Sequence, residues 1–264
     1  MIKQFLLAVF IISAATFLSS CQKTLQYKNN EDEVRGTPLP GQENYCRIES
    51  IWENPGAYNQ RFLLVLYDEY ENPIAITTPE VNTGHPYITF KYDSWHRLRE
   101  YRGEYSNGYF EFWHFYGYDL SGRIDVDTAY WFAHLSIDPR NYLDRIISKI
   151  EYDNQNRIIR VITDYILSNL HFESTYTYDA AGNLIYPGSE VTYDSKVNLH
   201  RTNDIWMFLA RDYSVNNPYA ADAYNSTGFP TIINTSYSRY FTFANLNIPL
   251  NHSQISYGCR PTYW

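Results

Sequence analysis

The chain carries no run of basic residues, no apolar span long enough to cross a bilayer as a helix, and none of the short motifs of common enzyme chemistries. Its Lys and Arg occur singly, and a formal charge of −8 repels phosphate backbones, so nucleic acid is not an expected partner. There is no GxSxG, no P-loop and no Gly-rich dinucleotide turn, and neither CxxC nor HxxxH supplies metal-ligand spacing. No catalytic residue, metal ligand or cofactor site is therefore expected. His85, His96, His114, His134, His171, His200 and His252 are scattered along the chain. Asp125 and Asp127 make a short DxD, but Ala129 and Ala133 stand where a calcium loop needs oxygen ligands, which reads as an exposed strand edge. Methionine is reduced to 2 residues, whereas 27 Tyr and 14 Phe supply much of the apolar content. Aromatic weight of this kind favours half-buried pleated strands over helices.

The first residues have the grammar of a secretory signal peptide: Lys3, the apolar stretch Phe5–Ile12, then the small-residue exit Ser13–Cys21. That stretch is shorter than the roughly 20 residues of a spanning helix. Leu18-Ser19-Ser20-Cys21 resembles the lipobox of bacterial lipoproteins, and the resemblance implies cleavage before Cys21 and a lipid anchor on it. Gln22, where inner-membrane retention is linked to Asp, implies the outer membrane, with the cell-surface or periplasmic face open. From Gln22 to about Tyr45 the chain is polar, acidic and punctuated by Gly36, Pro38, Pro40 and Gly41, the composition of a flexible tether. The expected organisation is a leader over 1–20, an anchor and tether over 21–45, and a β domain over 46–264. Cys46 and Cys259 are either a disulfide, which would close a loop of roughly 210 residues and contribute about 5 kcal/mol in the chain-entropy model, or two buried thiols.

A repeat dominates the rest. Tyr92–Leu98, Tyr118–Ile124, Tyr152–Ile158 and Tyr178–Leu184 share the pattern Y-D-x-x-[G/N/H]-[R/N]-[L/I], with weaker copies at Tyr67–Pro73, Tyr193–Leu199 and Tyr224–Pro230. The pattern is that of a tight hairpin. Asp suits the first turn position, and the residue three later must enter the left-handed region, which Gly122, Gly182, Asn156 and His96 tolerate. Glu71 and Val197 stand at that position in their copies and imply a different turn. Folding places Tyr118 opposite Ile124 and Tyr152 opposite Ile158 facing a core, with Asp119–Arg123 and Asp153–Arg157 facing water.

These residues resemble the YD repeats of rearrangement-hot-spot and teneurin-type surface proteins, and more closely those of YD-repeat lipoproteins of diderm bacteria. The resemblance covers about Tyr67 to Pro230 and implies an all-β antiparallel sheet of tandem hairpins. The chain is far too short to close the hollow shell of the large relatives, so architecture carries over and activity does not. Cap residues followed by an apolar run predict one short helix over 203–211.

If Tyr118 points inward, alternation sends Phe110, Phe112 and Tyr116 inward and Tyr109, Trp113 and Phe115 outward, with Trp131 of the next strand on that outward face. Exposed, the four make a candidate ligand patch for a glycan or a protein; covered by a second layer, they are core. Two functions are thus carried forward: a lipid-anchored binding or surface-display module, and a structural or adhesive envelope protein without a small ligand. A hydrolase whose groups meet only in space is a third. Oligomeric state is open.

Overall fold

A computed structural model describes residues 44–133, 142–188, 191–235 and 241–261. The protein is all-β: thirteen strands form one antiparallel sheet, and among the described residues one short α-helix packs on it. Strands β1 (Asn44–Glu53), β2 (Arg61–Tyr67), β3 (Pro73–Thr77), β4 (Tyr87–Tyr92) and β5 (Leu98–Glu104) run as a meander. It continues through β6 (Phe110–Tyr118), β7 (Ile124–Ala133), β8 (Tyr142–Tyr152), β9 (Ile158–Tyr165) and β10 (Leu170–Thr175). β11 (Thr177–Tyr178) and β12 (Leu184–Ile185) make a separate ribbon, after which β13 (Ala223–Tyr224), β14 (Pro230–Asn234) and β15 (His252–Pro261) rejoin the sheet beside β1. Asn44, the first described residue, already lies in β1.

Tyr-Asp turns join β2 to β3, β4 to β5, β6 to β7 and β8 to β9. Tyr92, Tyr118 and Tyr152 lie opposite Leu98, Ile124 and Ile158, and the register shifts beside each pair. In the turn after β6 the Asp119 N–H donates to the Arg123 carbonyl at 2.9 Å and the Gly122 N–H to the Asp119 carbonyl at 3.0 Å. Gly122, Gly182, Asn156 and His96 all have positive φ, between 58° and 85°. Glu71 departs from expectation, with φ 62° in the same turn. Its left-handed backbone costs about 1–2 kcal/mol for a side-chain residue. That cost is offset by two ion pairs of its carboxylate, to Arg47 at 2.7 Å and Arg260 at 2.9 Å. Val197 does take a different path: the Asp194 N–H bonds the Asn217 carbonyl instead, at 3.0 Å.

The Asp–Arg pairs are half-buried rather than water-facing. Asp119 Oδ1 accepts the N–H groups of Ser121 and Arg123 while Oδ2 accepts Arg123 Nε at 2.9 Å, and Asp93 and Asp153 repeat the arrangement. Burial opposes ionisation at Asp93 and Asp153, but the N–H and guanidinium of Arg97 and Arg157 outweigh it and hold both carboxyls below the usual range. Each guanidinium then covers the tyrosine of the next repeat: Arg97 lies 4.3 Å from the Tyr118 ring centre and Arg157 4.2 Å from that of Tyr178.

A second device ties repeat to repeat. The Tyr92 hydroxyl donates to the Pro73 carbonyl, Tyr118 to Leu98, Tyr152 to Ile124 and Tyr193 to Leu184, the acceptor each time being the residue opposite the preceding repeat's tyrosine or, in the ribbon, opposite Tyr178. The seam between β15 and β1 obeys the same rule although no turn joins these strands. Tyr257 lies opposite Ile48, Gly258 opposite Arg47 and Cys259 opposite Cys46. Tyr257 donates to the Pro230 carbonyl, Tyr67 donates to the Ile48 carbonyl, and Arg47 sits 5.1 Å from the Tyr67 ring centre.

The core lies on one face, here called inner, where Ile48, Ile51, Leu63, Val65, Ile76, Ile88, Phe90 and Tyr101 are buried. Helix α1 (Asp204–Ala210) covers it, one residue shorter than predicted at each end because Asn203 caps its start and the left-handed Arg211 its finish. Trp206 of α1 is fully buried and meets Phe90 edge-on at 5.7 Å. The outer face of β1 and β2 keeps Trp52, Phe62, Leu64 and Leu66 exposed.

Candidate functional site: an aromatic cleft on the inner face

Where β5 to β7 pass beneath the end of α1, the inner face opens into a cleft of about 380 Å³. Its floor depends on Gly103. A Cβ there would clash with the Phe112 ring, which lies directly over the glycine from the paired strand and is tilted against Tyr101 at 4.8 Å. Phe208 of α1 stands edge-on to Tyr116 at 5.4 Å, and Trp131, 36% exposed, lies 6.2 Å from Phe112.

Polar groups converge on these rings. His114 Nδ1 is 2.9 and 3.0 Å from the two carboxylate oxygens of Asp127, which sits one strand away on β7. A neutral imidazole that gives its Nδ1 proton to that carboxylate keeps Nε2 as an acceptor. Among the described residues, Glu111 accepts two hydrogen bonds, both at Oε2, from the Gly84 N–H at 2.9 Å and the Tyr105 hydroxyl at 2.7 Å. Burial, and then Glu111, pushes the Tyr105 phenol up to about 12. Arg211 enters the wall and has no ion pair among the described residues.

The rings of Tyr101 and Tyr116 are buried, with the residues only 6% and 9% exposed, but their hydroxyls, which have no hydrogen-bond partner among the described residues, open onto the solvent of the cleft. Burial, with Asp127 adding to it, raises both phenols well above their ordinary range, so each stays an O–H donor. Two phenol donors that open onto one cleft can hydrogen-bond water or an acceptor that displaces it. Among the described residues, no Ser, Thr, Cys or Lys lines the cleft beside the His114–Asp127 pair.

The sequence-predicted patch divides between the two faces. Trp113 and Phe115 are on the outer side, half-buried and stacked at 5.1 Å, with Phe115 against Tyr130 at 5.9 Å. Arg102 covers Trp113 at 4.4 Å, and its indole N–H donates to Glu100 at 3.2 Å. Tyr109 stays half-buried at the β5–β6 turn. Trp131 is on the opposite face: the extra residue beside the Tyr118–Ile124 pair shifts β7, so Trp131 lies across from Phe112, and Trp113 from Tyr130. The same shift takes Asp127 inward opposite Tyr116, where it is buried rather than on an exposed edge. A second shift at Gly103/Glu104 turns Phe110 outward, edge-on to Trp113 at 5.6 Å. The dyad was missed because its face depends on that extra residue; the signal that could have found it was the turn itself, whose left-handed residue makes a bulge.

Cys46 and Cys259 are joined by a disulfide with Cα atoms 4.1 Å apart. Cys21 and the leader lie outside the described residues, as do His134 and most of the tether. Among the described residues no group of three His, Cys, Asp or Glu is placed to hold a metal ion, and no helix is long and apolar enough to cross a membrane. A second groove runs past Arg97, Arg123 and Arg157, but each guanidinium is already held by the Asp of its own turn.

No protein family model and no curated protein matches the chain. A structural resemblance is found to the crystal structure of TcdB2-TccC3-Cdc42, at 14% identity and a TM-score of 0.22, covering 53% of this chain and 8% of that one. At that level it carries no argument.

Proposed function

We propose that the protein is a non-catalytic binding module of the bacterial envelope, held at the outer membrane by lipid on Cys21, and that the inner-face cleft receives its ligand. One observation carries this reading: the hydroxyls of Tyr101 and Tyr116, with no protein partner among the described residues, open onto a cavity that also holds an exposed indole. Such a mixture of apolar walls and a few convergent polar groups is the usual anatomy of a small-ligand site. The signal peptide and lipobox support the envelope location, and the Tyr-Asp turns support kinship with YD-repeat lipoproteins. A described lining without Ser, Thr, Cys or Lys gives covalent hydrolysis no side-chain nucleophile and supports the binding reading.

Ligand-observed NMR on the purified full chain tests the site with saccharides, aromatic carboxylates, quaternary amines and short peptides as probes. At least one class is expected to bind, and Trp131→Ala and Tyr116→Phe to weaken it by roughly tenfold, about 1.4 kcal/mol. Trp113→Ala, on the other face, leaves it unchanged. Binding that survives both cleft substitutions, or a panel that stays silent, removes the proposal.

A further inference from the structure

We infer that the ligand of this cleft is a neutral saccharide, bound through one pyranose ring; this rests on the reading of the cleft as a ligand site. The polar census decides among classes. Glu111 and Asp127 bring two carboxylates, set against one guanidinium, Arg211, and the imidazole of His114. An anion would meet both carboxylates, and a cation would meet Arg211. A wholly apolar ligand would leave the Tyr101 and Tyr116 hydroxyls buried and unpaired, at the full desolvation penalty of each.

A polyhydroxylated ring satisfies all of them, because every hydroxyl both donates and accepts. Its oxygens accept from the two phenols and from Arg211. Its protons go to Asp127 and to Glu111 Oε1, since both hydrogen bonds of Glu111 use Oε2. The flat, partly exposed indole of Trp131 offers the ring's C–H face an apolar surface, while the ring of Phe112, seated on Gly103, forms the floor. The volume, about 380 Å³, is near the lower end of ligand pockets, which suits one ring or the end of a glycan.

The test titrates the full chain with methyl glycosides of neutral hexoses and N-acetylhexosamines, and with glucuronate, glucosamine, benzoate and choline, following tryptophan fluorescence and ligand NMR. Neutral glycosides are expected to saturate the signal, with glucuronate and glucosamine weaker by roughly tenfold or more. Trp131→Ala and Asp127→Asn should each weaken the neutral glycosides by a similar factor, and the Trp113→Ala control should not. Benzoate or choline binding that is lost in Trp131→Ala, with neutral glycosides silent, overturns the saccharide and leaves the cleft reading standing. Silence from every probe, or glycoside binding lost in Trp113→Ala but kept in Trp131→Ala, overturns both.

Discussion

His200 is enclosed between Phe243 and the loop that follows, its Nε2 accepting the Ala244 N–H at 3.2 Å and its Nδ1 without a partner among the described residues. Burial lowers its pKa to about 4, against the opposing pull of Asp212. The unfolded chain therefore binds this proton first as pH falls. Stability from this group is complete above about pH 6.5 and declines through the interval down to about 4, by about 3 kcal/mol in total. Urea midpoints measured at pH 7.5 and 4.5 should differ by less in His200→Gln than in the parent; equal differences would refute the assignment. Single residues were unevenly legible. Gly122 and Asn156 announced their left-handed conformation through type alone, whereas Glu71 adopts it against type because two arginines from distant strands hold its carboxylate. Trp131 was legible as an exposed aromatic but not as to face, since one extra residue in a turn reverses a strand.

The Tyr-Asp turn is the unit of construction, and its hydrogen bonds rank its parts. Removing the Asp153 carboxylate strips partners from the Gln155 and Arg157 N–H groups and from a guanidinium, whereas removing the Tyr152 hydroxyl strips one carbonyl. Asp153→Ala is accordingly expected to cost about 1–3 kcal/mol and Tyr152→Phe about 0.5–1.5 kcal/mol by urea unfolding, and the reverse order would sink the ranking. The turns themselves were readable because their chemistry is local. The tyrosine-to-carbonyl bonds between repeats were not, because they link residues 9 to 28 positions apart and depend on strand neighbours. Tyr105–Tyr109 forms the same turn, with Gly108 at φ 81°, and escaped the pattern because it lacks the Tyr-Asp pair. Helix α1 was legible through its Asn203 cap and apolar run.

In the whole molecule the sheet's first and last strands are neighbours, paired over nine positions and clasped by Cys46–Cys259 across a separation of 213 residues. Breaking the bond leaves the pairing in place, so reduction should lower stability without unfolding the chain at ambient temperature. A loss of about 2–5 kcal/mol is expected in Cys46→Ser/Cys259→Ser, matched by the reduced parent; an unchanged urea midpoint would count against a structural role. Fold class was legible from turn spacing and aromatic content, but strand order was not, because the β1–β15 contact joins segments with nothing between them in sequence to mark it.

That seam has a topological consequence. Tyr257-Gly258-Cys259 and Cys46-Arg47-Ile48 pair as the two arms of a repeat do, but no turn joins them, the ladder runs on to Asn44 and Pro261, and a covalent sulfur bridge crosses it. Read from β13 through β15 into β1 and on to β10, the sheet is a single unbroken meander. The fold is thus a circular permutation of that simpler order, and a chain cut between α1 and β13, with Pro261 joined to Asn44 through a Tyr-Asp loop, would keep every strand beside its present neighbours and have no need of either cysteine.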